Sequence, residues 1–384
     1  MNDYLSELSL DGEEDYAFWE STKDLTAIQP ESSALNAAQE LIGLMHLING
    51  LQGTRGNLFR IADINDRGCG PEWIGRIISP YHAQHRKYEM FRAILFHLRF
   101  WDYNVTHHLP LHALNPLVTF FFGEAHRLGL HMPPADFDYI LYGHGEQTAV
   151  MCARLNELVK SIRNIENNSQ VCEAVKRFRR ASNDNFKSAT KYLEAMFAVH
   201  SRLLVVRVDL AYRKYINAKQ NYYHPAISIE QFLMHRRQLL ESFQRNPIFE
   251  HLLGYMVKLE HGREKGFHCH CMFLFDGSDT RQDISIGALI GEFWTHHITQ
   301  GSGLYYNCNL KPKYFYNGLG MVSYRDAEKR FGLDLAVKYM TKSDVIARLS
   351  LGNARIFTRG EMPVIPAVKR GRPRVYTRDM SLYV

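Results

Sequence analysis

The tightest constraint on the fold is the run Phe267-His268-Cys269-His270-Cys271-Met272-Phe273-Leu274-Phe275. It is too apolar for a loop and too rich in aromatic residues at alternate positions for a surface helix. Side chains of a strand alternate between faces, so His268 and His270 share one face with Cα atoms roughly 6.5–7 Å apart, while Cys269 and Cys271 share the other. The run Tyr255 to His261 reads as a second strand. Gly262-Arg263-Glu264-Lys265-Gly266 joins the two, and its glycines suit a hairpin. Around this pair the sequence reads as a strand at Arg202 to Leu210, a helix at Ile229 to Phe243, a helix at Ile284 to His297, a strand at Leu304 to Leu310 and a helix at Leu333 to Leu349. The order β-α-β-β-α-β predicts an α+β fold with an antiparallel, ferredoxin-like sheet and flanking helices.

Upstream the grain differs. From Ala34 to Tyr103 and from Gln147 to Val199 apolar residues recur three and four apart, which predicts a mostly helical N-terminal region. Lys176-Arg177-Phe178-Arg179-Arg180 followed by Ser182-Asn183-Asp184-Asn185 reads as the boundary. Four parts are expected: an acidic flexible leader over 1–40, the helical region over 41–190 with no readable role, the sheet domain over 191–350 and a basic tail over 351–384. The leader holds ten acids against one base, so the net +6 of the chain leaves +15 on the remainder. Such a balance suits a polyanionic partner, because each cation placed on a phosphate releases condensed counterions. Six cysteines in 384 residues are too sparse for a disulfide framework. With neither a signal-peptide layout nor a membrane-length apolar run, the expectation is a cytoplasmic protein without a membrane partner. The histidines between His82 and His131 match no metal-binding spacing.

One metal ion can sit between His268 and His270, whereas a straight strand cannot aim both histidines and both cysteines at the same ion. Glu260, just before the hairpin turn, is the nearest acid for the neighbouring strand to supply; a one-residue slip of register would present His261 instead. A mixed nitrogen and oxygen set accommodates Mn²⁺ or, less tightly, Mg²⁺. On the last predicted helix, Tyr339 and Lys342 stand three residues apart and share a face, presenting a phenol and an ammonium together. Tyrosine attacks phosphorus as a phenolate, which its ordinary pKa near 10 makes scarce, so a nearby cation assists.

Taken in this order, the strand carrying Arg207 and Asp209, His268-Cys269-His270 and Tyr339-Met340-Thr341-Lys342 resemble the three motifs of the HUH endonuclease superfamily. The likeness is greatest to the inovirus-type replication initiators of filamentous phages and prophages. It covers about residues 200–350. Cys269 departs from the usual bulky apolar residue, at a position facing away from the metal. The resemblance implies an HUH domain over 191–350 that nicks and rejoins single-stranded or extruded origin DNA through a 5′-phosphotyrosine at Tyr339. It also implies a divalent metal on His268, His270 and Glu260, and Arg207 and Lys258 as contacts to the DNA backbone. A host polymerase would extend the released 3′ hydroxyl. No Gly-x-x-x-x-Gly-Lys-Ser/Thr run occurs, so unwinding would fall to a host helicase.

In the tail, Lys369-Arg370-Gly371-Arg372-Pro373-Arg374 resembles an AT-hook core, which would place Arg370, Arg372 and Arg374 on DNA; a solvated basic tail with general phosphate affinity is the plain alternative. Three rival functions fit parts of the pattern. They are a tyrosine transposase or relaxase of the same chemistry, a catalytically inert prophage DNA-binding regulator, and a zinc-stabilised interaction module.

Overall fold

The computed structural model describes residues 32–63, 74–81, 84–109, 111–213, 215–217, 222–224, 227–262, 266–310, 316–342, 347–352 and 354–365. It is a mixed α and β structure whose sheets are antiparallel. Helices α1 (Ser32–Gln52), α2 (Arg86–His108), α3 (Pro116–Arg127), α4 (Pro134–Leu141) and α5 (Glu146–Arg163) build the N-terminal part, with two-residue strands β1 (Arg60–Ile61) and β2 (Ile77–Ile78) and strand β3 (His112–Leu114) between them. Their apolar faces bury Leu44, Ile48, Ile94, Phe121, Phe137, Leu155 and Ile162 in one core, the arrangement that the three- and four-residue spacing predicts. No helix among the described residues is long and apolar enough to cross a membrane.

Helix α6 (Ser169–Val199) crosses the expected boundary without a break. Its first turns give Cys172 and Val175 to the N-terminal core, and its last turns give Ala189, Tyr192, Leu193, Met196 and Phe197 to a core beneath the sheet. The polar stretch Ser182 to Asn185 reads as a linker locally, yet it lies in mid-helix, with Asn183 and Asp184 on the solvent side and Ser182 buried.

The main sheet contains β4 (Arg202–Tyr212), β7 (Leu252–Gly262), β8 (Gly266–Asp276), β9 (Gly303–Asn307), β10 (Gly320–Ser323) and β12 (Phe357–Arg359), in the order β10-β4-β8-β7-β12. One edge is made in two pieces: β10 pairs with residues 202–205 of β4 and β9 with residues 208–212. The hairpin β7–β8 closes with Gly262 opposite Gly266, as the turn glycines predict. Two further strands, β5 (Tyr215–Asn217) and β6 (Tyr222–His224), form a separate ribbon.

Alternation sorts the sheet's side chains into two cores. On one face Val206, Val208, Leu210, Leu259, Cys269, Cys271 and Phe273 meet Phe232 and Leu239 of α7 (Ile229–Ser242), and Ile290 of α8 (Asp283–Glu292) with Trp294 of the π-helical turn that extends it. On the other face Leu203, Val205, Met256, Met272 and Leu274 meet the end of α6 and α9 (Ala327–Lys342). Helix α9 begins six residues earlier than its periodicity predicts, where Asp326 accepts from the Lys329 amide at 3.0 Å as an N-cap. It ends at Lys342, and residues 347–349, expected to continue it, form strand β11 (Ala347–Leu349) paired with β3. That partner lies over two hundred residues away, which local periodicity cannot register.

Candidate metal centre

On the α9 side of the sheet, a polar row interrupts the apolar face. The register sets Asp209 opposite His270 on one side and Lys258 opposite it on the other; Glu260 stands opposite His268. All therefore point the same way, and Cys269 and Cys271 point the other way, with their sulfurs 3.7 Å apart in the apolar core. The alternation read from the sequence puts these residues where they are.

His268 Nε2 lies 3.5 Å and His270 Nε2 3.3 Å from Glu260 Oε2, and the ligand atoms of the three residues all fall within 4.8 Å of one another. The remaining ring nitrogens are occupied. His270 Nδ1 donates to Asp209 Oδ1 at 2.7 Å, and His268 Nδ1 to the Gly266 carbonyl at 3.1 Å. Anchoring Nδ1–H in this way leaves both Nε2 lone pairs facing the carboxylate, the tautomer that a metal-ligating histidine requires. Two nitrogens and a carboxylate oxygen fit a divalent cation in its neutral-imidazole form. Glu260 rather than His261 supplies the third atom. The His261 ring lies 4.6 Å from that of Phe267 and 6.3 Å from that of His112, on the opposite side of the strand.

Without a cation, the electrostatics hold one extra proton. Burial alone would lower His270, but the carboxylates of Asp209 and Glu260 outweigh it and keep the imidazole at about 9. Burial would raise Asp209 and Glu260; the charges of His270, with Arg207 or His268, prevail and hold Asp209 at about 2 and Glu260 well below the usual carboxylate range. Both acids are ionised at neutral pH.

Tyr339 is buried over this row, its ring 5.8 Å from that of His270 and edge-on to it. Burial, and then the Glu260 carboxylate, push its phenol above the ordinary value, with Arg207 opposing them. The Arg207 guanidinium lies 5.1 Å from the centre of the Tyr339 ring, with its Nε 3.5 Å from Asp209 Oδ1. The sequence pattern puts Lys342 beside Tyr339 as its cation, and the family resemblance puts Arg207 and Lys258 on the DNA backbone. Arg207 and Lys258 are instead fully buried in the sheet. Lys342 closes α9, and its side chain, like Arg370, Arg372 and Arg374, lies outside the described residues.

Asp209 was noted as part of a motif but given no role, though its signal is visible: Val206-Arg207-Val208-Asp209-Leu210 carries two charges through an otherwise apolar strand, and buried charges persist where they are paired at a site. A second contributor, Ser182, had no readable signal. Its hydroxyl donates to the Thr341 carbonyl at 2.7 Å, satisfying one of the carbonyls that the end of a helix leaves without an internal partner.

No curated protein and no solved structure matches the chain. One family model matches, and its span begins just ahead of α6 and runs through β9, taking in Arg207, Asp209, Glu260, His268 and His270 but stopping short of Tyr339. Over residues 166–312 the chain is similar to the YagK/YfjJ C-terminal domain.

Proposed function

We propose that the protein is an HUH-type, metal-dependent DNA nicking and joining enzyme with Tyr339 as its nucleophile, acting as a rolling-circle initiator of a phage or prophage-like element. The observation that carries this reading is the seating of Tyr339 against His270, whose Nε2 converges with that of His268 on Glu260. The strand order adds support. Counting β4, β7, β8 and β9 as first to fourth, the sheet runs 4-1-3-2 with both crossover helices on one face, the ferredoxin-like arrangement that the HUH reading expects.

Mg²⁺ or Mn²⁺ held by Glu260, His268 and His270 would supply Lewis-acid polarisation of a phosphodiester. The chain's own groups do the rest. Asp209 fixes the tautomer of His270, and Arg207 holds Asp209 while its positive charge favours the phenolate of Tyr339. The phenolate oxygen forms the new bond to phosphorus as the bond to the 3′ oxygen breaks; the phenol's proton is lost and the 3′ oxygen gains one. Bond energy is kept in the phosphotyrosine, so the reverse reaction rejoins the strand.

The test is direct. Incubated with Mn²⁺ and labelled single-stranded DNA from its own replicon, the protein should form an adduct that survives denaturant and maps to the peptide containing Tyr339. Tyr339→Phe, which keeps the ring but loses its oxygen, should fold, bind DNA and give none. An adduct formed by that variant at the normal rate would remove Tyr339 as the nucleophile.

A further inference from the structure

Among the described residues, the helical cover over the site face stops at one edge of the sheet. On β9, Tyr305 and Asn307 turn toward α8: a Cβ at Gly291 would collide with the Tyr305 ring, Tyr305 donates its hydroxyl to Glu292 at 2.9 Å, and Asn307 donates to the Ile284 carbonyl at 2.8 Å. Alternation therefore leaves Leu304 and Tyr306 on the opposite face, that of the polar row. The register is specific. Tyr306 stands directly across from Asp209, and Leu304 across from Ala211. The Arg213 amide donates to the Ser302 carbonyl at 2.9 Å and continues this ladder, so Arg213 takes the same face as Asp209 and Ala211. Asp209 is buried, yet Leu304 is 46% exposed, Tyr306 is half-buried and Arg213 is exposed.

An aromatic ring half-buried against the core that holds Tyr339, an exposed branched aliphatic side chain and an exposed guanidinium thus line one face beside the metal centre. Tyr306 is two strand spacings, roughly 10 Å, from His270, within reach of a nucleotide next to one whose phosphate is held at that centre. We infer that Tyr306 and Leu304 form a stacking platform for an unpaired nucleobase, with Arg213 taking an adjoining phosphate. This rests on the nucleic-acid reading of the site and extends it to a second contact. Tyrosine suits the task because every base has a face to stack and the ring carries no net charge. A duplex cannot use the platform, since its bases are already stacked on each other.

The platform can be tested apart from cleavage. In chelator, fluorescein-labelled oligothymidylate of about 12 nucleotides should bind the full-length protein more tightly than an abasic strand of the same length. Tyr306→Ala should weaken oligothymidylate binding by roughly 5- to 100-fold and erase its advantage over the abasic strand. Tyr306→Phe should retain both, and Leu304→Ala, a change at an exposed position, should lose part of the advantage. Arg213→Ala should weaken both strands and lower the salt slope by about 0.7. Equal binding of the two strands by the unaltered protein, or an unchanged advantage in Tyr306→Ala, overturns the platform even where the Tyr339 adduct forms. A Tyr306-dependent advantage without any adduct leaves the platform standing and removes the nicking reaction instead.

Discussion

Metal affinity should depend on pH in a way set by His270. In the metal-free protein this ring is protonated up to about 9, and its Nε2 can take a cation only after losing that proton. Glu260 and Asp209 stay ionised throughout the neutral range, so they add no slope there. Between pH 9, where the ring is half protonated, and pH 6.5, apparent Mn²⁺ affinity should therefore fall about 150-fold, with one proton released per ion at the lower pH. Stability runs in the opposite sense. A histidine raised from its ordinary 6.5 to about 9 contributes roughly 3 kcal/mol to the metal-free fold. That contribution is full below pH 6.5 and lost as pH rises through 9. The gap in Tm between Mn²⁺ and chelator should then widen as pH rises. Calorimetric titration in two buffers of different ionisation enthalpy, beside thermal unfolding at each pH, measures both effects. Affinity constant from pH 6.5 to 9 with no proton released would show that His270 is either not a ligand or neutral beforehand, and would refute the reasoning.

Asp209→Asn should weaken Mn²⁺ binding by about 10- to 100-fold through the loosened His270 ring, and leaving Arg207 buried without its carboxylate should lower stability by about 3–5 kcal/mol in chemical denaturation; Mn²⁺ binding within twofold of normal would deny Asp209 its orienting role. Cys269→Ala and Cys271→Ala should each cost about 1 kcal/mol of stability and leave metal binding intact, whereas His268→Ala should abolish metal binding with little loss of folding; the reverse pattern in a titration would mean that the faces are misassigned. Ser182→Ala should destabilise by about 1–3 kcal/mol, because the Thr341 carbonyl loses its donor, and should slow adduct formation more than it weakens DNA binding. Ser182→Thr should restore the rate, and equal slowing by both variants would make Ser182 a packing residue only.

Much of the site was legible because strands obey a period of two. Once Phe267 to Phe275 is read as a strand, the faces of His268, His270, Cys269 and Cys271 follow, and the hairpin glycines bring Glu260 alongside. The union of Asp209 with His270 could not be read, since it depends on β4 pairing with β8 at a separation of some sixty residues. Tyr339 was singled out by its spacing to Lys342 on one helix, whereas Arg207, which lies over its ring, comes from β4 and no local spacing announces it. The end of α9 was misjudged because Ala347 to Leu349 keeps a helix-compatible pattern while β3, from the N-terminal part, claims it as a strand. At Lys176 to Asn185 the helix runs on where a break was expected, although the hand-over from the N-terminal core to the sheet's core falls within this stretch. Polar residues mark a linker when both sides of a segment meet water, but here one side is buried and Ser182 lies on it.

Helix α6 has a consequence for how this protein can be divided. Because a single 31-residue helix donates its two halves to different cores, no cut between residues 169 and 199 separates two self-sufficient pieces. A chain trimmed to begin at β4 would open the sheet's lower core where Tyr192, Met196 and Phe197 had been, and with it the bed on which the Tyr339 helix rests. The pairing of β11 with β3 and the packing of Leu111 against the sheet's core tie the N-terminal part to the sheet a second time, so the two parts have to be moved together.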